Sequence, residues 1–144
     1  MAGLPHEIEY CEDPTALTSD QLRGSFFEGW PSPPSPDLHL SHLRGAEVAI
    51  VALDVTTGQA AGFVTAVGDG LLTAFIPFLE VLPAYRGSGI GAELVRLVLA
   101  RLSDRYSVDL VCDPDLIAFY ERLGGVSGTA MMWRNRDALD TGNL

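Results

Sequence analysis

The alternation of apolar and polar positions along this chain predicts a sheet interleaved with helices. Short β-rich runs, each bounded by turn residues, occupy residues 7–11, 47–54, 60–67, 71–82, 108–112 and 130–133. Turn sequences at residues 56–59 and 69–70 join the three central runs into an antiparallel meander. Pro77 interrupts the third of these runs, which predicts an edge or a bulge at that point.

Two helices are predicted in the first third of the chain. Thr18 and Gln21 form a capping-box pattern at the start of the first, which carries Leu22, Phe26 and Phe27 and stops before the proline-rich stretch at residues 30–36. Ser35 and Pro36 then form a good N-cap and first helical position. This second helix is expected to end near residue 45.

Two further helices are predicted in the second half. Apolar residues recur at helical spacing between residues 90 and 102, namely at Ile90, Leu94, Leu97, Val98 and Leu102. A last helix starts at Asp113 and Pro114 and closes at Gly124, with Leu116, Phe119, Tyr120 and Leu123 on its apolar face.

The order of elements predicts an α/β (α+β) fold with a mixed, mostly antiparallel sheet of six to seven strands and about four helices on its faces. The strand–helix–strand unit from residue 79 to residue 112 should be a right-handed parallel crossover. A length of 144 residues suits a single domain over residues 1–144, with residues 136–144 expected to be a frayed tail.

Charge narrows the choice of partners. The formal net charge is −10 and the nine basic residues are scattered, so we expect no nucleic-acid partner. An acidic surface favours cationic substrates such as amines, although solubility explains it equally well. No apolar run approaches the roughly 20 residues that span a bilayer, so no membrane association is expected.

Two cysteines, Cys11 and Cys112, are too few for a disulfide framework, and their spacing suits no metal site. Residues 1–12 contain no basic segment followed by an apolar one, so no signal peptide is expected. The simplest localisation is therefore cytoplasmic.

A glycine-rich turn at residues 86–91, Arg-Gly-Ser-Gly-Ile-Gly, joins an apolar strand to the helix that starts at residue 90. Such a turn directs backbone N–H groups and the helix dipole at one point, and Arg86 adds a guanidinium that suits phosphate oxygens. Gly87, Gly89 and Ala92 also fit a dinucleotide fingerprint, with Asp109 or Asp113 near the position of a ribose-binding acid. Beyond the first strand–helix–strand unit, the chain after the turn has room for only one further helix and strand, which is too little for a doubly wound sheet.

The segment from residue 79 to residue 102 resembles the acetyl-CoA-binding signature of the GNAT superfamily of N-acetyltransferases. The matching positions are Leu79, Val81, Pro83, Tyr85, Arg86, Gly89 and Gly91. Residues 119–124, Phe-Tyr-Glu-Arg-Leu-Gly, look like the second motif of that family. The order of all elements also agrees, so a GNAT-like sheet is expected over nearly the whole chain.

The resemblance implies a binding site for acetyl-CoA as co-substrate and no metal. The pyrophosphate would be bound by the turn and the start of the helix: Arg86, Gly87, Ser88, Gly89, Ile90, Gly91 and Ala92. The strand from Leu79 to Val81 would pair with the pantetheine arm, and a backbone N–H near Val81 would polarise the thioester carbonyl. Phe119 is also expected to contact the cofactor.

Two residues are candidates for proton transfer. Tyr120 matches the tyrosine that the family places near the sulfur of CoA, where it would protonate the departing thiolate; a core tyrosine is the alternative. Glu80 is the only acidic residue in a very apolar stretch, so it is a candidate general base or ammonium anchor. A polar residue on the wetter face of the strand explains Glu80 equally well.

Other residues have weaker signals. Trp30 and Phe27 are candidates for the acceptor pocket, with a core position favoured for Phe27. Asp113 is expected to cap the last helix, and Cys112 to be a buried, inert thiol. His39 and His42 lie three residues apart, and without a third ligand a surface role is favoured over a metal site.

These expectations define an N-acetyltransferase that moves the acetyl group of acetyl-CoA to a primary amine, of a small molecule or a protein, by direct attack in a ternary complex. The alternative is a non-catalytic CoA-binding or sensing domain of the same fold. A homodimer through the sheet edge or the last strand is compatible with the sequence, but no residue indicates it. The acceptor amine is not specified.

Overall fold

The computed structural model describes residues 6–138, and its central feature is a six-stranded mixed sheet. The strands are β1 (Ile8–Cys11), β2 (Val48–Asp54), β3 (Ala60–Gly68), β4 (Thr73–Ile76), β5 (Leu79–Val81) and β6 (Ser107–Leu110). They lie in the order β1-β2-β3-β4-β6, with β5 paired to β3. Every pairing is antiparallel except the one between β4 and β6. The predicted mixed, mostly antiparallel sheet is confirmed.

Three α-helices accompany the sheet: α1 (Pro36–Gly45), α2 (Ile90–Arg101) and α3 (Ile117–Arg122). The start of α1 follows from the local sequence, since the Ser35 Oγ accepts a hydrogen bond from the Leu38 N–H at 3.1 Å and Pro36 occupies the first turn. Short 3-10 turns at Pro83–Tyr85 and Pro114–Leu116 lead into α2 and α3.

The core lies on both sides of β2 and β3. Successive residues of a strand point to opposite faces, and nearly all of those in β2 and β3 are buried, so both faces are covered. Helix α1 packs against β2, while α2 packs against β2, β3 and β5. The apolar stripe predicted for α2 is confirmed, because Ile90, Leu94, Val98 and Leu102 are all buried.

The third strand of the meander is divided at Pro77, as its sequence predicts. Before the proline, β4 pairs with the end of β3 and with β6; after it, β5 pairs with Gly62, Phe63 and Val64 of β3. Gly62 permits this approach, since a Cβ atom there would lie 2.7 Å from the Glu80 carbonyl oxygen. Among the pairings between described strands, β5 has none with β6. A slot therefore opens between these two strands.

The helix predicted from residue 18 to residue 30 is wrong. A 3-10 turn at Ser19–Leu22 is all that forms, although Gln21 makes its expected capping contact, accepting from the Thr18 N–H at 3.0 Å. Gly24, Phe27 and Gly29 all have positive φ, which an α-helix does not allow. Burial of Phe26 and Phe27 in the core determines the path of this segment instead.

The strand predicted at residues 130–133 is also absent from the described chain, where residues 125–135 run on without regular structure. Part of the predicted tail forms a 3-10 turn at Arg136–Ala138, and the remainder lies outside the described residues. Within residues 6–138 no helix is long and apolar enough to cross a bilayer.

Candidate active site

A cleft of about 510 Å³ opens where β5 and β6 separate. Its walls come from the break between β4 and β5, from the end of β6 and the turn that follows, and from α3. The lining includes Trp30, Glu80, Cys112, Asp113 and Tyr120. The cleft thus brings together both residues that were predicted to transfer protons.

The backbone of β5 is half free. The Thr65 N–H donates to the Phe78 carbonyl at 3.1 Å, and the Leu82 N–H donates to the Ala61 carbonyl at 2.8 Å. Hydrogen bonding alternates along an antiparallel pair, so Glu80 is bonded to β3 while the backbone groups of Leu79 and Val81 face away from it. An extended ligand could therefore pair with the backbone groups of Leu79 and with the Val81 N–H, whereas the Val81 carbonyl already accepts a hydrogen bond from the Arg86 Nε.

The glycine turn forms an open cradle at the start of α2. Gly87 has a φ of 82° and Gly89, the N-cap residue, a φ of 87°, so both favour glycine over any other residue. Apart from the glycine itself and its two chain neighbours, no atom of residues 6–138 lies within 4 Å of where a Cβ would stand at either position. The N–H groups of the first helical turn, including those of Ile90, Gly91 and Ala92, have no partner within the helix and suit an anion.

Two side chains next to the cradle stabilise the turn. The Ser88 hydroxyl donates to the Tyr85 carbonyl at 2.7 Å, and the Arg86 Nε donates to the Val81 carbonyl at 3.0 Å. The Arg86 guanidinium is mostly exposed, with the Glu28 carboxylate 3.9 Å away. Arg86 thus ties the glycine turn to the end of β5 and still presents a positive charge to solvent.

Tyr120 lies on α3 and lines the cleft. Burial, with a smaller contribution from Cys112 beside it, raises the pKa of Tyr120 to about 12. The phenol is therefore protonated at neutral pH, and it is a weaker acid than an exposed tyrosine. Phe119 packs edge-on against it with ring centroids 4.9 Å apart, and the Phe119 ring lies 3.6 Å from the Cβ position of Gly91.

The Glu80 side chain is held by a backbone group from the segment before α1. Its Oε1 accepts a hydrogen bond from the Phe27 backbone N–H at 2.8 Å, across a separation of 53 residues. Burial raises the pKa of Glu80, while the Phe27 N–H and the Arg86 charge oppose the rise. Phe27 adopts a φ of 59° to make this contact, a conformation that costs a non-glycine residue about 1–2 kcal/mol.

The aromatic residues around Glu80 divide into two groups. Trp30 and Phe78 line the cleft. The Phe27 side chain is only 4% exposed and packs against Phe63 and Phe78, so Phe27 reaches the site through its backbone and not through its ring. The core position favoured for Phe27 is the correct one.

Three weaker expectations need correction. His39 is only 2% exposed, enclosed by Phe26, Phe27 and Phe63, and burial lowers its pKa to about 4; a surface role is wrong for it. Cys112 is half-buried and lines the cleft, so it is not a buried core thiol. Asp113 precedes the 3-10 turn but its side chain makes no capping hydrogen bond.

Sequence reasoning missed a buried polar contact behind the glycine turn. The Tyr85 hydroxyl donates to the Asp54 carboxylate at 2.8 Å, and His6 Nδ1 lies 3.2 Å from the same carboxylate. The β2–β3 turn is thereby joined to the 3-10 turn that leads to the cradle. A polar Asp54 at the end of an otherwise apolar strand was the available signal.

A metal site requires a set of ligand side chains that lie close together. Over residues 6–138 no group of three or more histidine, cysteine, aspartate or glutamate side chains is placed to hold an ion.

Comparison with solved structures supports the fold in detail. The crystal structure of a proposed acetyltransferase of Deinococcus radiodurans R1 is similar to this chain, with 46% sequence identity, a TM-score of 0.85 and 90% of each chain covered. A GNAT family protein of Streptococcus pneumoniae TIGR4 is 27% identical, with a TM-score of 0.72 over 90% of this chain and 99% of the other. The aminoglycoside N-acetyltransferase AAC(6')-Iy, solved with CoA, shares the fold at 18% identity and a TM-score of 0.60, over 94% of this chain and 99% of that one.

A curated relative and a family model agree with these structures. An uncharacterised ycf52-like N-acetyltransferase of Prochlorococcus marinus is 38% identical over 65 residues, which is 44% of this chain and 36% of that protein. The acetyltransferase (GNAT) family model matches residues 16–125, a range that includes the glycine cradle, the free edge of β5 and Tyr120. The chain therefore belongs to the GNAT family of acetyltransferases.

Proposed function

We propose that this protein is an N-acetyltransferase that transfers the acetyl group of acetyl-CoA to a primary amine by direct attack in a ternary complex. The observation that carries the proposal is that β5 and Tyr120 line one cleft, while the glycine cradle adjoins the end of β5, where the Cβ position of Gly91 lies 3.7 Å from Val81. Residues 87–92 would hold the pyrophosphate, while Leu79 and Val81 would hold the pantetheine arm.

The residues of the cleft then have distinct tasks. In this transfer a C–N bond forms and a C–S bond breaks, so one proton must leave the amine and one must reach the sulfur. Glu80 accepts the proton from the amine, directly or through water, because Phe27 fixes its carboxylate at the acceptor end. Tyr120 donates to the sulfur, since its pKa of about 12 keeps it protonated. The Val81 N–H would stabilise the oxyanion.

Amine acceptors suit the charge of this end of the cleft. Among the described residues, Glu80 and Asp113 line the cleft with a single cation, Arg134, Glu28 lies beside Arg86, and the whole chain carries a net charge of −10. Trp30 and Phe78 supply apolar surface for the carbon skeleton of the acceptor. Both a small amine and an exposed amine of a protein fit this description.

The test measures cofactor binding by calorimetry and thiol release with a panel of amines, for the wild type and for Tyr120→Phe. We expect acetyl-CoA to bind at micromolar concentration and Tyr120→Phe to lower kcat about 10²-fold with little change in KM. Tyr106→Phe is the matched control, because Tyr106 is 90% exposed and outside the cleft.

Two results would contradict the proposal in different ways. Failure to bind acetyl-CoA would remove the site itself. Binding without thiol release for any amine, together with an unchanged Tyr120→Phe variant, would instead indicate a CoA-binding or sensing domain of the same fold.

A further inference from the structure

A buried carboxylate that does not line the cleft belongs to Asp54, at the end of β2. Only 3% of its side chain is exposed. Its Oδ1 accepts from the Thr56 N–H at 3.0 Å and its Oδ2 from the Tyr85 hydroxyl at 2.8 Å, with His6 Nδ1 3.2 Å from the same Oδ2. The hydrogen bond from Tyr85 lowers the pKa of Asp54, so the carboxylate is ionised at neutral pH. An ionised, buried acceptor with several donors holds those donors firmly in place.

The backbone of Asp54 is fixed as well. Its N–H donates to the Gln59 carbonyl at 2.9 Å, and its carbonyl accepts from the Gly58 N–H at 2.8 Å, which closes the turn between β2 and β3. The carboxylate therefore cannot shift without disturbing a hydrogen-bonded turn. Asp54 is for this reason suited to orient the groups that bind to it.

Tyr85 connects this carboxylate to the glycine turn. It is the last residue of the 3-10 turn Pro83–Tyr85, and it is buried. Its hydroxyl is bound by Asp54, while its carbonyl accepts from the Ser88 hydroxyl at 2.7 Å. Both the side chain and the backbone of Tyr85 are thus held, and the chain leads from it directly into residues 86–89. The orientation of Tyr85 therefore sets where the glycine turn begins.

The turn at residues 86–89 has little packing of its own. Its two glycines have positive φ, and the space beside them is open. Glycine loses more conformational freedom on ordering than any other residue, so a glycine turn binds an anion tightly only if neighbouring groups already hold it in place. Arg86 provides one such contact, through the Val81 carbonyl, and Tyr85 provides a second.

We propose that Asp54 is a positioning residue of the cofactor site. Through the Tyr85 hydroxyl it holds residues 86–89 in the arrangement that binds the diphosphate of acetyl-CoA, without lining the cleft itself. The identity of the ligand rests on the proposed function, whereas the ordering of the turn by Asp54 and Tyr85 does not. Loss of the contact should weaken binding of the diphosphate and leave the chemistry at the thioester unchanged.

The experiment compares two acetyl donors in steady-state kinetics at saturating amine: acetyl-CoA, and S-acetyl-pantetheine, which lacks the diphosphate and the nucleotide. For Tyr85→Phe we expect the KM for acetyl-CoA to rise about five- to tenfold and kcat to stay within about twofold. The kcat/KM for S-acetyl-pantetheine should not change. A variant that is only less stable would lose activity with both donors.

Variants of Asp54 test whether it acts through Tyr85. Asp54→Ala should match Tyr85→Phe, and Asp54→Asn, which keeps an acceptor oxygen, should lie closer to the wild type. The double variant Asp54→Ala, Tyr85→Phe should bind acetyl-CoA no more weakly than either single variant, since both remove the same contact. Tyr10→Phe is the matched control: Tyr10 is half-buried on β1, and no hydrogen bond joins its hydroxyl to another described residue.

Amide hydrogen exchange tests the turn without any cofactor. The Tyr85 N–H donates to the Leu82 carbonyl at 2.9 Å, and the Arg86 N–H donates to the Pro83 carbonyl at 3.3 Å. Both N–H groups should exchange faster in Tyr85→Phe than in the wild type. The Leu82 N–H, which is bonded to the Ala61 carbonyl at 2.8 Å, should exchange at an unchanged rate.

Unchanged exchange in Tyr85→Phe, an additive loss of affinity in the double variant, or equal losses with the two donors would each overturn the proposal. A wild type that fails to bind acetyl-CoA would instead contradict the proposed function. In that case the exchange rates still decide whether Asp54 and Tyr85 order the turn, so the two failures are distinct.

Discussion

At the scale of single residues, the contact between Phe27 and Glu80 fixes the carboxylate at the end of the cleft that we assign to the acceptor. A backbone N–H fixes one oxygen of the carboxylate, which leaves the other oxygen available to an amine. The positive φ of Phe27 is the strained feature that permits this. Nothing in the local sequence connects positions 53 residues apart, so the sequence pointed to Glu80 but not to its partner.

The variant Glu80→Gln tests the state of this carboxylate. Burial raises the pKa of Glu80, so ionising it above the ordinary glutamate value of 4.5 costs folding free energy. We expect the variant to melt at a higher temperature than the wild type at pH 7.5, with the difference vanishing as pH falls below 4.5. Its acetyl transfer should fall about 10- to 100-fold at neutral pH.

Thermal melts across pH and thiol-release rates provide the measurement, with the exposed Glu121→Gln on α3 as control. A variant that melts lower than the wild type at every pH would show that the ionised carboxylate stabilises the Phe27 loop. A variant of full activity would remove Glu80 from the proposed chemistry.

His39 gives a second prediction at this scale. Its ring is enclosed by aromatic residues, neither ring nitrogen has a hydrogen-bond partner in the described structure, and its pKa is lowered to about 4. In the unfolded chain His39 therefore binds a proton at about pH 6.5, whereas in the folded protein it remains neutral down to about pH 4. Stability should fall by up to about 1.4 kcal/mol per pH unit between pH 6.5 and 4.

His39→Leu should remove this dependence and leave stability at pH 8 little changed or higher. Denaturant titrations of both proteins at a series of pH values measure it. If the two proteins lose stability in parallel as pH falls, the buried ring of His39 is not the cause.

At the scale of elements, the glycine cradle can be tested by one pair of substitutions. Gly89→Ala places a side chain at a φ of 87°, which costs about 1–2 kcal/mol, and puts a methyl group in the space assigned to the pyrophosphate. We expect weaker binding of acetyl-CoA, by about tenfold or more. Gly45→Ala, at the end of α1, has equally open surroundings without a positive φ, and should bind normally.

Calorimetric titration with acetyl-CoA compares the two variants directly. Equal affinities would mean that the cradle does not contact the phosphates, whereas a loss confined to Gly89→Ala supports the assignment.

The elements also show which kind of signal a sequence carries. α1 was predictable because Ser35 and Pro36 fix its start locally, and the division at Pro77 follows from the missing N–H of that residue. The first predicted helix failed because packing of Phe26 and Phe27 into the core outweighed a capping box. The strand predicted at residues 130–133 did not form, because alternation indicates a strand only if a neighbouring strand pairs with it, and these residues pair with none in the described chain.

At the scale of the whole molecule, net charge should govern how acceptors arrive. A protein of charge −10 attracts a cationic amine over a distance set by the Debye length. Under the proposed function, kcat/KM for a dicationic amine should fall several-fold between low and physiological ionic strength. For a monocationic amine of similar size the fall should be smaller.

Steady-state kinetics over a salt series, at saturating acetyl-CoA, separates this effect from cofactor binding. An identical salt dependence for the two amines would show that the acidic surface serves solubility and not recognition.

The division of β3 between two partner strands has a consequence for how this chain can change. β5 pairs with the first part of β3 and β4 pairs with its end, so β3 sets the register of both strands. Deleting one residue between Val64 and Val67 would shift that alignment by a single step and exchange the outward and inward backbone sets of β5. The groups of Leu79 and Val81 would turn toward β3, so single-residue insertions or deletions there should be tolerated far less than substitutions.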